Sequence, residues 1–410
     1  MQDLFESQEQ TQCWLISRDA KGKIRCIDIH YTKENDSEYI IHRHSFQYKG
    51  KRTVQPEINI NSGKVNRDAH AQTILRFLSL VKTYKDKGYK EIQNDPDSYT
   101  EEYLSSVLPE YNTDSNGFKK HMLAKQIDKV SEKALNAVPF WYASRKIDGL
   151  RCSFYWDGKK IKSASRGGGD YDLALKHFIE NKKFIKFFQN HPDYVLDGEL
   201  YKHGKSLQQI SGAARLEKNA YDCDWLQYYI YDIMIPNTPF IERIKLLINI
   251  AKELGIGFDP YHEFKEGDLQ VQIVPHVKVA GYDNMMKLHN KYVEEGFEGV
   301  VIRDPKANYE FGSRKNCMIK IKKYRDDCFK VIGIEPGLRG AEDLVFILEA
   351  PNGSSFKAKP LGDRATKQEY WDNFDKKYKG HIGECKFFYY SDEGVPLQPA
   401  FKAFRWDIDN

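Results

Sequence analysis

A chain of 410 residues is more than one ordinary core serves and points to two to four domains, on a scale of about 100 to 200 residues each. With 40% hydrophobic and 30% charged residues it is neither disordered nor membrane-embedded; its net charge of +4 establishes no nucleic-acid partner, although 63 Lys and Arg suffice for a cationic face. The seven cysteines, at 13, 26, 152, 223, 317, 328 and 385, are odd in number and include no Cys-x-x-Cys pair, so neither a disulfide framework nor a zinc site is expected.

The chain begins with the polar "MQDLFESQEQ" and contains no run near about 18 apolar residues, which predicts a cytoplasmic protein without a secretion or membrane-spanning signal. "CWLIS", "IRCIDIHY" and "EYIIHRHSF" are β-rich runs bounded by turn residues and predict a small sheet. "DAHAQTILRFLSLVKTYKDKG" predicts a helix with Ala71, Leu75, Leu78 and Val81 on one face, Asp68 as N-cap and Gly88 as terminator. These elements make an N-terminal α+β module, residues 1–95. Residues 96–117 are rich in Pro, Asn, Asp and Ser and are expected to form a linker with one short helix.

From Phe140 strands and helices alternate: "WYASRKI", "RCSFYW", a helix through "DLALKHFIENKKFIKFF", "YVLDGEL", "LQYYIYDIM", a helix through "IERIKLLINIAKELG", and "GVVIRD". Short Asp-Gly connections imply mostly antiparallel pairing and an α+β domain over 118–325. After "MIKIKKYRD" come "CFKVIGIEPG", "LVFILEAPNG", "SSFKAKPLG" and "ECKFFYYSD", short strands with Gly-rich turns that predict a β-barrel over 326–410.

"KIDGLR" at Lys146 to Arg151 can be a solvated hairpin, since Asp-Gly favours tight turns. Lys-x-Asp-Gly recurs by chance in roughly one chain in ten of this length, so it requires company in the right order. The company is "SASRGGG" with Arg166, "VLDGEL" with Glu199, "YYIYDI" with Tyr231, "EGFEGVVIR" with Glu298, and "MIKIKKY" with Lys320 and Lys322. Together they fit attack of an amine on a nucleoside triphosphate. Glu298 offers a carboxylate to a divalent metal, Lys320 and Lys322 share one strand face, Glu199 accepts from ribose, and Tyr231 supplies a π face. Attack requires a neutral Lys146, and Arg145, Lys320, Lys322, a nearby metal and partial burial are each expected to disfavour its ammonium.

This order of motifs, with "HMLAKQIDKV", "DGELY", "EGFEGVVIRDP" and "IKIKKYRDDCFKVIGIEPG", resembles the covalent nucleotidyltransferases, and within them the small viral and phage-type ATP-dependent DNA ligases. The resemblance covers roughly residues 122–407. It implies a nucleotidyltransferase core followed by an OB-fold barrel, with ATP and Mg²⁺ (Mn²⁺ as a substitute) as cofactors and nicked duplex DNA as partner of a monomeric enzyme. It further implies Lys146 as the lysine that carries AMP, Arg151 as a nucleotide contact, and Arg166 on the 5′-phosphate of the nick. Glu199 corresponds to the ribose-contacting acid, Tyr231 to the stacking aromatic, Glu298 to the metal-associated acid, Lys320 and Lys322 to the phosphate-binding lysines, and Arg405 to the residue orienting pyrophosphate.

Two positions depart from the pattern. Ser144 stands where ligases often carry Glu or Gln that reads the adenine amino group, and Ile408 replaces the lysine of the final Arg-x-Asp-Lys element. RNA ligases and mRNA-capping guanylyltransferases share the lysine motif, and an inactive ligase-like DNA-binding protein is a rival of another class. The N-terminal module resembles, more loosely, the WGR-like domain of some phage-type ligases, with "HRHSFQYKGKRTVQ" as a basic strand edge suited to phosphate.

Overall fold

The computed structural model describes residues 11–19, 21–63, 67–114, 117–215, 223–322, 324–337 and 340–407; the polar start at 1–10 and Ile408 lie outside them. Residues 118–323 form one unit, and the segments before and after are grouped in a second.

The N-terminal segment is built on a six-stranded sheet. Gln12–Arg18, Ile24–Asn35 and Glu38–Gln47 are its antiparallel centre, flanked by Lys90–Ile92 on one side and Thr53–Val54 and Ile58–Ile60 on the other. Helix Ala69–Asp86 starts at Asp68, whose side chain accepts from Ala71 N at 2.7 Å. Its buried face is Ala69, Thr73, Phe77, Leu80 and Val81, and Leu75 and Leu78 are exposed. The expected face is thus corrected by rotation about the axis, because Phe77, the largest fully buried side chain of the helix, takes the core position in the cluster with Ile29 and Ile41. Within 96–117, helix Glu101–Val107 places Leu104 against the other sheet face with Ile16, Cys26 and Phe46, together with Leu108.

Residues 118–323 carry two five-stranded sheets. One runs Ile161–Ser165, Leu150–Trp156, Val195–Tyr201, Gln227–Ile233, Val271–Ile273; the other runs Val277–Val279, Trp141–Lys146, Gly299–Arg303, Met318–Lys322, Lys125–Gln126. Pairing is antiparallel except at one edge of each sheet, where Val271–Ile273 and Lys125–Gln126 join in parallel. The single helix expected over 172–188 is two, Lys176–Ile179 and Lys182–Asn190, because Asn181 interrupts the first and caps the second, accepting from Lys183 N and Phe184 N at 3.0 and 3.2 Å. Helix Phe240–Leu254 ends at Gly255, whose φ of +55° is the left-handed cap that glycine adopts without penalty.

The C-terminal segment closes into a barrel in the order Arg325–Gly337, Gly340–Glu349, Ser355–Pro360, Ala400–Phe404, Ile382–Phe387. Strand Ser355–Pro360 alternates exposed and buried residues, as a barrel wall must, and Phe346, Phe356, Phe387, Phe401 and Phe404 fill the interior. Helix Arg364–Asp372 lies in the chain between the barrel strands Ser355–Pro360 and Ile382–Phe387; it buries none of its residues, so it leaves no apolar periodicity to find. No helix among the described residues is long and apolar enough to cross a membrane.

Candidate active site

Strand pairing sets the centre of the site. Lys146 stands opposite Gly299, and Gly299 opposite Lys322, so the two lysines occupy one row across three adjacent strands. Gly299 has φ +150°, and a Cβ there would lie 2.2 Å from the Ile321 carbonyl oxygen, so only glycine fits the middle of the row. Its predecessor Glu298 donates its N–H to the Lys146 carbonyl at 2.9 Å, and its carboxylate bridges the two lysines, Oε2 on Lys146 Nζ and Oε1 on Lys322 Nζ. All three side chains are largely withdrawn from solvent, at 19%, 7% and 10% exposure.

This arrangement corrects the expected electrostatics of Lys146. Burial presses it toward the neutral amine, but Glu298, then Glu199, outweigh burial and hold the ammonium above its ordinary range. Arg145 does not help to neutralise it: neighbouring strand residues face opposite ways, and Arg145 pairs with Glu295 at 2.8 Å while stacking over Phe258 and Tyr292. For Glu298, burial raises the carboxyl, yet Lys146 and Lys322 overcome this and hold it ionised. Lys320, two residues from Lys322 on the same face, forms no ion pair with a described residue; burial, then Lys322 and Lys146, bring it down to about 8.

The second sheet supplies the opposite wall. Glu199 pairs in register with Arg151, and burial pushes its carboxyl up to about 7 although Lys146 and Arg151 pull it down. Tyr231 donates to Glu199 Oε2 at 3.2 Å. The ladder pairs Asp197 with Asp232 and Gly198 with Ile230, so Tyr231 is the extra residue of a bulge, a device that re-aims a side chain. The guanidinium carbons of Arg151 and Arg303 lie 5.7 and 5.4 Å from its ring centroid. Gly149 permits this wall, since a Cβ there would stand 2.1 Å from the Leu200 carbonyl oxygen.

Arg151 is committed to the scaffold. Its Nε and Nη2 grip the buried Asp197 carboxylate at 2.9 and 2.5 Å, and Nη1 donates to the Met122 carbonyl at 2.7 Å. Tyr309 adds a hydroxyl to Asp197 at 2.8 Å. Arg166, in the exposed turn after Ile161–Ser165, forms no ion pair with a described residue; burial, then Arg151 and Arg314, lower its guanidinium, and Glu199 and Tyr231 also act on it. Lys146, Glu199, Tyr231, Glu298, Lys320, Lys322, Arg151 and Arg166 thus all lie in residues 118–323. Arg405 is in the other unit, where it pairs with Asp407 at 2.7 and 2.9 Å and with Glu384 at 3.3 Å.

Ser144 is buried, and its hydroxyl accepts from Arg303 Nη1 at 3.1 Å. Arg303 is one of two buried guanidiniums around Asp232: Arg243 holds that carboxylate at 2.7 and 3.1 Å, and Arg303 Nε is 3.7 Å from it. Asp197, Asp232 and Arg303 were not singled out from the sequence. The available signal was a charge set into an apolar strand run, as in "VLDGEL", "YYIYDI" and "GVVIRD", since a buried charge requires a partner.

Residues 121–322, just under half of the chain, match the family model described as ATP dependent DNA ligase domain. Among curated proteins, a DNA ligase of African swine fever virus (a Kenyan pig isolate) is 27% identical over 283 residues, covering 65% of this chain and 63% of that protein. The DNA ligase of Haemophilus influenzae is 24% identical over 259 residues, covering 61% of this chain and 85% of that protein. The chain therefore spans less than two thirds of the length of its African swine fever virus relatives. Among solved structures, a Lig E DNA ligase covers 70% of this chain and 99% of its own at TM-score 0.53 and 18% identity. The structure named Pmar-Lig PreS3 covers 70% of this chain and 67% of its own at TM-score 0.57 and 22% identity. Both are likenesses of fold.

Proposed function

We propose, from the ATP-dependent DNA ligase domain that residues 121–322 constitute, that this chain seals nicks bearing a 5′-phosphate and a 3′-hydroxyl in duplex DNA. The observation that carries the reading is the row Lys146, Gly299, Lys322 with Glu298 between the lysines, facing Glu199 and Tyr231. Lys146 Nζ attacks the α-phosphorus of ATP and expels pyrophosphate; the AMP passes to the 5′-phosphate of the nick; the 3′-hydroxyl then displaces AMP to form the phosphodiester.

Lys146 becomes a nucleophile when Glu298 turns away from it. With that contact gone, burial and the repulsion Lys146 shares with Lys320 and Lys322 press toward the neutral amine, against the remaining pull of Glu199 and Asp148. Lys320 and Lys322 hold phosphate charge, Glu199 receives ribose hydroxyls, Tyr231 carries the base, and Arg166 holds the nick phosphate. Arg151 contributes to nucleotide binding chiefly by fixing the Glu199 strand through Asp197, and Arg405 orients pyrophosphate. A divalent cation fits beside Glu298, whose carboxylate is a hard oxygen donor and whose charge raises the Glu199 carboxyl, a repulsion such an ion relieves. With Glu298 holding it, Mg²⁺ (or Mn²⁺) would supply positive charge against the triphosphate.

The proposed division is an N-terminal WGR-like module over 1–95, a linker over 96–117, a nucleotidyltransferase domain over 118–325, and an OB-fold over 326–410, in a monomer that acts in the cytoplasm. The test is incubation of the chain with α-labelled ATP or GTP, followed by sealing of a nicked duplex with DNA or RNA ends. ATP-dependent joining of DNA is expected; labelling by GTP alone, which buried Ser144 makes worth testing, contradicts the ATP assignment, and labelling by neither favours a binding protein.

Tyr231→Ala should raise the ATP concentration for half-maximal adenylylation by about 5- to 150-fold, the equivalent of about 1 to 3 kcal/mol of base stacking. Tyr231→Phe, which keeps the ring and loses the 3.2 Å bond to Glu199, should stay nearer the parent; equal damage from both places the role in the hydroxyl instead. Removal of residues 1–117 should weaken nick binding and flatten its salt dependence, because fewer counterions are released, while self-adenylylation survives. An unchanged salt slope assigns that segment another task.

A further inference from the structure

The N-terminal sheet carries a cluster that the ligase reading leaves without a task. Asp28 and His30 alternate onto one face of Ile24–Asn35, and His44 pairs directly with Asp28 from Glu38–Gln47. His30 Nδ1 and His44 Nδ1 each lie 3.0 Å from the same oxygen, Asp28 Oδ2. The other oxygen, Oδ1, is engaged by the Gln12 amide at 2.9 Å, which fixes the carboxylate plane. One ligand atom from each of the three residues falls within 4.8 Å of the others.

We propose that Asp28, His30 and His44 bind a zinc-class divalent transition-metal ion. Two ligands on a tetrahedral zinc, each about 2.0–2.1 Å from the metal, stand about 3.3 Å apart, so the two imidazole-to-carboxylate spacings of 3.0 Å need only a few tenths of an ångström of adjustment, and the ligand atoms of all three residues lie within 4.8 Å of one another. Charge points the same way. Asp28 is 4% exposed and no lysine or arginine among the described residues pairs with it, so a cation held between it and the two imidazoles compensates a buried carboxylate. The donors stand on the central strands of the sheet, and Gln12 orients the carboxylate as outer partners of metal ligands do. His42 stacks on His30 at 4.9 Å but has both nitrogens engaged, by Glu57 at 3.0 Å and Thr32 at 2.9 Å, and is not a ligand. His30 and His44 keep 28% and 23% exposure, so the ion reaches the site from solvent. The absence of paired cysteines therefore does not exclude zinc here: the donors are nitrogen and oxygen brought together by strand register, which sequence spacing does not display.

The test uses the full chain stripped with a chelator and titrated with Zn²⁺ against a chromophoric competitor in excess Mg²⁺, which nitrogen donors do not favour. One zinc per chain is expected. The His30→Ala/His44→Ala pair should lose it, and Gln12→Ala should weaken it about 10- to 100-fold, as loss of an outer partner does. Co²⁺ on the unaltered chain, which needs no variant to fold, should give a tetrahedral d–d spectrum without a thiolate charge-transfer band. Failure to bind one equivalent, binding undiminished in a double variant whose circular dichroism is native, or a thiolate band would each overturn the assignment.

Discussion

Lys146→Ala should form no covalent adduct with ATP and join no ordinary nick, yet retain partial joining of a nick supplied already adenylylated. No other amine in the row can substitute. Lys322 is held by Glu298, and Lys320, although lowered to about 8, lies two rows along the ladder, opposite Val301 rather than Gly299. Loss of nucleophilic catalysis at a single atom is a loss of the whole first step, so the expected effect is the absence of product within detection. The fold should survive, because Glu298 keeps Lys322 as its partner. A variant that still forms the adduct at wild-type rate contradicts the assignment of the nucleophile.

Arg151→Ala should instead unfold much of the nucleotide domain's stability. It leaves the Asp197 carboxylate, 1% exposed, without its bidentate partner, and breaking a buried pair from one side costs about 3 to 5 kcal/mol. For a domain of this size that is a fall in Tm of roughly 6 to 20 °C. The pH dependence has a definite sign. Burial raises the Asp197 carboxyl, but Arg151 outweighs it and the folded group titrates below its ordinary value. Its stabilisation is therefore complete above about pH 4, the unfolded range, and is lost as pH falls through the lower folded value. The gap in Tm between parent and variant should be full at neutral pH and close under acid. A variant with parental Tm and weakened ATP binding would return Arg151 to a direct nucleotide contact.

The lysine site was legible because its chemistry sits in short motifs whose order survives in the chain: "KIDGLR" and "KIKK" place Lys146 and Lys322 on strands of one sheet, "EGFEGVV" places Glu298 just before the strand between them, and "DGEL" places Glu199 on the other sheet. Their charge states were not legible, because residue types do not reveal that Glu298 bridges two ammoniums or that Arg145 turns to the opposite face. The helix Ala69–Asp86 was found from its cap, yet its buried face was misplaced, since Phe77 decides the packing and the regular aliphatic pattern does not. Helix Arg364–Asp372 passed unnoticed for want of any buried residue. The histidine and aspartate cluster depends on the register Asp28 to His44, sixteen residues apart, which only the folded sheet supplies.

The most direct measurement is peptide mapping by mass spectrometry of the full chain after incubation with ATP and Mg²⁺. One AMP should be found, on the peptide containing Lys146, through an acid-labile, alkali-stable bond to the lysine nitrogen, and it should disappear when nicked DNA is added. AMP attached to any other residue, or no adduct in a chain of native circular dichroism, would contradict the account.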